Sequence, residues 1–162
     1  PLIALRRANL ILITRADRAE TIIPLKETIR RYTDAPFFTA RYAPRELIDV
    51  ATGGTRPLDH LAGKQVFAFS GIARPDSFIA LLRDLGAVVA GTAVYGDHYS
   101  YTRSDLADLV QLAGNNDSAQ LVTTEKDGVR LKDLAPEGVW AVRIDLEVVE
   151  SGSWEEALLK AI

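Results

Sequence analysis

The chain has no cysteine and no methionine among its 162 residues, and only two histidines. Without cysteine it holds neither a disulfide framework nor a thiolate metal site, which fits a reducing compartment. Without a methionine at position 1, and with Pro1 opening on a helix-like stretch already under way, the sequence is expected to be a piece of a longer polypeptide. A basic excess is missing too. The net charge of −3 and pI near 5.4 argue against a nucleic-acid partner, which a basic face would attract. No apolar run approaches the ~18 residues of a membrane span, and the opening residues do not read as a signal peptide.

What remains is ordinary for a globular protein: 48% hydrophobic and 25% charged residues, enough for one domain with a sizeable core or two small lobes. Asn9 to Thr14 is a continuous apolar run rich in β-branched residues, as in a strand buried on both faces. Polar residues Thr14 to Asp17 follow. Pro24 is expected in a first helical turn, with Leu25, Ile29 and Tyr32 at helical spacing behind it. Pro36 to Tyr42 reads as a strand ended by Pro44, and Ala51 to Pro57 as a linker.

From residue 64 onward the punctuation is regular. Strand-like Gln65 to Phe69 leads through Ser70-Gly71 to Pro75, a good first helical residue, with Phe78, Leu81, Leu82 and Leu85 on one face and Gly86 as the left-handed stop. Strand-like Ala87 to Val94 precedes a helix opened by Thr102 and Asp105, with Leu106, Leu109, Val110 and Ala113 as its apolar stripe. Gln120 to Thr123 is a short strand, Thr124 caps a helix over 125–131, Val139 to Ile144 alternates as a strand, and Ser153 is expected to cap a last helix over 154–162. Strands alternating with helices make this an α/β chain, with a mostly parallel sheet and helices on both faces.

Three loops can carry chemistry. In Val94-Tyr95-Gly96-Asp97-His98-Tyr99, the imidazole of His98 follows a strand's carboxyl end, where open α/β sheets place their sites, and it can exchange a proton near neutral pH. Asp97, adjacent in sequence, would usually point elsewhere, and a surface or capping histidine is the plain alternative. Thr123-Thr124-Glu125-Lys126-Asp127 offers backbone N–H groups as a phosphate cradle with Lys126 as a point charge, or equally a capped helix whose acids suit the dipole. In Ser70-Gly71-Ile72-Ala73-Arg74, Gly71 permits close backbone approach and Arg74 could bind an anion; the plain reading is a tight strand–helix turn. His60 is assigned no role. Zinc spacing, G-x-S-x-G and G-x-G-x-x-G are absent, and Gly63-Lys64 is no P-loop, since Gln65 follows it and Leu58 stands where the first glycine belongs.

Taken in order, these segments resemble the second half of the tetraacyldisaccharide 4′-kinase family. Leu61 to Phe78 is similar to its lysine-led strand followed by "A-F-x-G-I-x-x-P-x-x-F", Asp97-His98 with Tyr101 to its "D-H-H-x-Y", and Thr123 to Asp127 to its "T-T-E-K-D". Gly96 stands where the family commonly has proline, Tyr99 replaces a second histidine, and Gly128 and Arg130 replace a usual alanine and lysine. The resemblance implies transfer of the γ-phosphate of ATP, with magnesium, to the 4′-hydroxyl of a lipid A disaccharide precursor at the cytoplasmic face of the bacterial inner membrane. It implies that the Walker-type loop, the metal ligands and a catalytic aspartate belong to a first half absent here, which would also meet the membrane surface. His98, with Asp97, would then be catalytic, and Gly71, Arg74, Thr124, Glu125, Lys126 and Asp127 would line or support the substrate or phosphate cleft; no metal ligand is expected here. Thr14-Arg15-Ala16-Asp17 further resembles the base-recognition segment of P-loop GTPase relatives. Residues 1–50 are accordingly expected to complete a P-loop-kinase-like nucleotide-binding core, 51–63 to be a linker and 64–162 a C-terminal α/β lobe. Two rival readings remain, a self-contained α/β enzyme using His98 as acid–base on a phosphorylated small molecule and a non-catalytic docking module.

Overall fold

The structure, a computed structural model, describes residues 2–14, 19–115, 119–134 and 137–161. The chain forms two compact units, Pro1–Ala43 with Asp145–Ile162, and Pro44–Ile144.

In the first unit a 3₁₀ helix, Leu2–Arg7, precedes β1 (Ile11–Ile13) and α1 (Ala19–Arg30); the start of β2 (Phe37–Asp49), the end of β7 (Val139–Val148) and α5 (Ser151–Ala161) complete it. β1 runs parallel to β2, with Ile11 opposite Phe37 and Ile13 opposite Thr39. Phe38 is buried edge-on against Trp154, with ring centroids 5.3 Å apart. The Glu150 carboxylate accepts from the Thr39 backbone N–H at 2.8 Å and from its hydroxyl at 3.0 Å.

Two local expectations are corrected in this unit. Pro24 lies inside α1 rather than in its first turn; its missing N–H removes one helical bond, and the Thr28 hydroxyl donates back to the Pro24 carbonyl at 2.9 Å. Ser153 does not cap α5, which starts at Ser151; its hydroxyl donates to the Glu150 carbonyl. Arg15 to Asp17 of the segment similar to a base-recognition loop lie outside the described residues.

In the second unit follow β3 (Thr55–Arg56), a 3₁₀ turn, β4 (Gln65–Ser70), α2 (Pro75–Asp84), β5 (Val88–Val94), α3 (Arg103–Gly114), β6 (Gln120–Thr124) and α4 (Glu125–Leu131). The strands stand in the order β7-β6-β4-β5, all parallel. The pleat sends alternate side chains to opposite faces. Val66 and Ala68 of β4 therefore join a core cluster with Phe78 and Leu82 of α2, while Phe67 and Phe69 join another with Leu106, Leu109 and Ala113 of α3. Helices thus cover both faces of a mostly parallel sheet.

Further details of this unit differ from the periodicity alone. β2 runs through Pro44, which falls between the residues registered with β1 (37–39) and those registered with β3 (47–48), so the ring interrupts neither ladder. Residues 51–63 are folded: Asp49 Oδ1 accepts from the N–H groups of Ala51 and Thr52, Gly53 takes a φ of 74°, and Leu61 is fully buried. Val110 is 57% exposed rather than part of the buried stripe of α3; Leu106, Leu109 and Ala113 are sufficient to fill that groove.

The connections decide where a site can form. From β4 the chain passes through α2 to β5 on one side, then returns through α3 on the opposite face to β6 on the other side of β4. The direction of winding reverses between β4 and β6, and the crevice outside the carboxyl ends of such strands is where open α/β sheets bind ligands.

Candidate active site

All three loops singled out in the sequence emerge at these carboxyl ends: 71–74 after β4, 95–102 after β5, and the β6–α4 junction at Thr124 and Glu125. Each is shaped by local rules. Thr102 and Asp105 form a reciprocal capping box, Asp105 N–H donating to the Thr102 hydroxyl at 3.2 Å and Thr102 N–H to the Asp105 carboxylate at 2.7 Å, and this fixes where the histidine loop ends. Thr124 caps α4 in the same manner, accepting from Asp127 N–H at 3.2 Å.

Asp127 joins the loops after β4 and β6. It is fully buried, and its carboxylate accepts from the Gly71 N–H at 3.0 Å, the Thr124 hydroxyl at 2.7 Å and the Arg130 guanidinium at 3.2 Å. A buried carboxylate is tolerable only with such a complement of donors. Gly71 has no room for a side chain, since a Cβ would stand 3.0 Å from the Gly96 carbonyl oxygen and 3.1 Å from Tyr99 Cβ. The phosphate cradle expected here is largely spent on the protein itself, because Thr124 takes the Asp127 amide and Asp127 takes that of Gly71.

His98 sits above this joint in left-handed backbone, φ 62°, a region where histidine is among the few enriched non-glycine residues. Its N–H donates to the Gly71 carbonyl at 3.2 Å. The side chain is 70% exposed yet held on both edges: Nδ1 stands 2.8 Å from Arg130 Nη2, Nε2 stands 3.4 Å from Lys126 Nζ, and the Asp97 carboxylate is 3.8 Å from Nε2. Lys126 donates to Asp97 Oδ1 at 3.2 Å and, by that bond first, holds the Asp97 carboxyl below its ordinary value. The side chains of Asp97 and His98 therefore converge through Lys126, the carboxylate standing 3.8 Å from Nε2, beyond hydrogen-bond distance.

The remaining candidates stand apart from the imidazole. Glu125 accepts from Arg143 Nε at 3.0 Å, and Arg143 also pairs with Glu46. Arg74 is exposed at the N-cap of α2, its carbonyl taken by the Ser77 hydroxyl. Two residues quoted in the sequence motifs, Arg130 and Tyr101, are assigned no site role there. Arg130 reaches His98, Asp127 and, at 3.5 Å, the Gly71 carbonyl; its i, i+3 spacing from Asp127 was the available signal. Tyr101 is buried with a hydroxyl that makes no hydrogen bond among the described residues, and burial, with Asp127 nearby, pushes its phenol far above the ordinary value.

An imidazole flanked by two cations and a carboxylate, at the rim of a topological switch, suits proton transfer beside an anion. Among the described residues no group of three or more His, Cys, Asp or Glu side chains gathers as a metal site.

Comparison with known proteins bears on what that anion is. The family model for LpxK, tetraacyldisaccharide-1-P 4′-kinase, matches residues 1–162. The chain belongs to this family. Tetraacyldisaccharide 4′-kinase of Anaeromyxobacter sp. (strain K) is 37% identical over 99% of the chain and 44% of its own length. That of Methylobacterium radiotolerans is 47% identical over 91 residues, 56% of the chain and 28% of its own length. Among solved structures, the crystal structure of the "apo" form of LpxK from Aquifex aeolicus in complex with ATP superposes with a TM-score of 0.66 at 21% identity, over 99% of the chain and 45% of that protein. It shows the same α/β fold. The chain spans less than half the length of these relatives.

Proposed function

We propose that this chain is the carboxyl-terminal part of a lipid kinase that moves the γ-phosphate of ATP to the 4′-hydroxyl of a tetraacyldisaccharide 1-phosphate in lipid A biosynthesis. Family membership supports the reaction class. That the chain corresponds to less than half of its relatives, and that its 162 residues carry no P-loop, support the assignment of the ATP phosphates to a segment outside it. In this reading residues 1–43 with 145–162 complete the nucleotide-binding core, and 44–144, rather than 64–162, form the unit that carries His98. No helix among the described residues is long and apolar enough to cross a membrane; contact with the cytoplasmic face of the inner membrane is assigned to the segment outside this chain.

Phosphoryl transfer needs positioning and electrostatics more than covalent chemistry. His98, paired with the catalytic aspartate assigned to the segment outside this chain, helps to take the proton of the attacking 4′-hydroxyl, and Asp97 with Lys126 fixes the charge along one edge of the ring. Gly71, Thr124 and Asp127 hold the loop at its height, and exposed Arg74 faces the anionic end of the substrate from the rim. Among the described residues no group of three or more His, Cys, Asp or Glu side chains gathers for the magnesium that accompanies ATP, and its ligands are assigned to the segment outside this chain.

The observation that carries this reading is His98, presented at the switch point and gripped from two sides. The test is transfer of phosphate from ATP to the disaccharide by the full-length protein carrying His98→Asn, since asparagine accepts left-handed backbone. Loss of a general base is expected to lower kcat by about 10²- to 10⁴-fold, with KM for ATP little changed. A rate within twofold of the parent would reduce the loop to a structural role.

A further inference from the structure

We propose that Arg130 and Lys126, standing at the two edges of the His98 ring, form the subsite that receives the phosphate monoester made at the 4′-oxygen. Donors outnumber acceptors around that ring. The Arg130 guanidinium stands 2.8 Å from Nδ1 and the Lys126 ammonium 3.4 Å from Nε2, and neither cation can accept a hydrogen bond. A neutral imidazole has one lone pair in its plane, so whichever nitrogen carries the proton, one cation faces an N–H. A protonated ring has no lone pair for either. Both oxygens of Asp127 are engaged, Oδ2 by the Gly71 N–H and the Thr124 hydroxyl and Oδ1 by Arg130 Nη1. Asp97 takes one proton of Lys126, at 3.2 Å. Arg130 Nη2 and Lys126 Nζ thus share a single lone pair at the ring.

An anionic ligand supplies the acceptors that the ring cannot. His98 and Lys126 are exposed, and the three side chains meet at the switch point where open α/β sheets take ligands. Lys126 and Arg130 stand four residues apart on α4, so they share a face, and like charges so placed oppose each other. An anion beside both relieves that repulsion. Arg130 is held ready for it, since Nη1 stays with the fully buried Asp127 while Nη2 is turned to the ring; the forked guanidinium serves both at once. A phosphate monoester suits this pair better than a carboxylate, because its terminal oxygens diverge and carry close to two negative charges near neutral pH. The assignment of that monoester rests on the kinase reading, in which His98 borders the 4′-hydroxyl and the phosphate leaving ATP comes to lie beside the ring. The disaccharide substrate has no phosphate at that position, so the two cations favour the product end of the transfer.

Substrate and product differ by that one phosphate, so the ratio of their dissociation constants reads the subsite. Calorimetry on the full-length protein in neutral detergent, with tetraacyldisaccharide 1-phosphate and then with the 1,4′-bisphosphate, is expected to show the product bound about tenfold or more tighter. Lys126→Gln and Arg130→Gln should each lower that ratio about threefold or more by weakening the product alone, with affinity for a non-hydrolysable ATP analogue within about twofold. Lys126 is exposed and away from Asp127, so its variant answers the question even if loss of Arg130 prevents folding. A parent ratio near one overturns the subsite, and so does a ratio that Lys126→Gln leaves unchanged. A second measurement separates this failure from that of the kinase reading. The protein is labelled with ¹⁵N-histidine, the His98 signals are assigned by their loss in His98→Asn, and inorganic phosphate is titrated in with ADP filling the nucleotide site. The ring signals should move in the parent and move less in Lys126→Gln. A ring that ignores saturating phosphate overturns the anion site. A ring that responds, in a protein that transfers no phosphate to the disaccharide, upholds the anion site and overturns the kinase reading.

Discussion

At the residue scale, Asp127 and His98 divide the work between scaffold and chemistry. Asp127 has every donor it needs inside the protein, and removing its charge leaves those donors facing an amide. Asp127→Asn is expected to destabilise the chain by about 3 kcal/mol, read as a lower urea midpoint with unchanged slope. An unaltered midpoint would mean that the loops after β4 and β6 are held by something else. Gly71 tests the same joint sterically. A Cβ there would meet a backbone oxygen at 3.0 Å, so Gly71→Ala should push the histidine loop outward and lower kcat several-fold, and full activity would contradict the close packing of Gly71 beneath it.

Parts of this site could be read from the residues themselves. Threonine before a helix, glycine at a close approach and histidine after a strand each have a local physical reason, and all three were found where the sequence suggested. Arg130 was not, because its partner His98 lies 32 positions away and nothing local links them. The contact exists because the loop after β5 reaches across the end of β4, where His98 N–H bonds the Gly71 carbonyl, toward β6 on the other side.

At the element scale, helix starts were legible and helix faces less so. Thr102 and Asp105 satisfy each other within one turn, so their geometry is independent of the rest of the fold. Thr102→Ala should cost about 1 kcal/mol and loosen the loop that carries His98, seen as faster amide exchange at residues 98–101 with α3 still folded. Unchanged exchange would separate the cap from the loop. The apolar stripe of α3, by contrast, included Val110 by spacing, yet Val110 is exposed. Spacing sets which residues share a helix face, but the width of the groove beneath decides how many of them lose water. Likewise, Pro44 reads locally as a strand end, yet β2 runs through it, between the residues registered with β1 and those registered with β3.

At the scale of the whole molecule, distant parts of the chain are fastened by few groups. In the first unit Glu150 bonds Thr39 across 111 positions, and the Thr39 N–H, ahead of other causes, holds the Glu150 carboxyl below its ordinary value of 4.5. A carboxyl depressed in the folded state stabilises it above the unfolded value and loses that contribution as pH falls through the folded one. Stability should therefore decline below about pH 4.5, and Glu150→Gln should flatten that part of the curve in acid-melting experiments. A variant with the parent's acid profile would show that other carboxylates govern the decline.

The sequence by itself determined the alternation of strands and helices, the caps and stops, the order of the motifs and thereby the family, because these depend on residues close together along the chain. Tertiary structure decided which loops meet, that Asp97 touches His98's surroundings through Lys126, and that Arg130 holds the imidazole. Those contacts follow from strand order, and strand order comes from burying both faces of a sheet at once, a condition no local stretch of sequence can express.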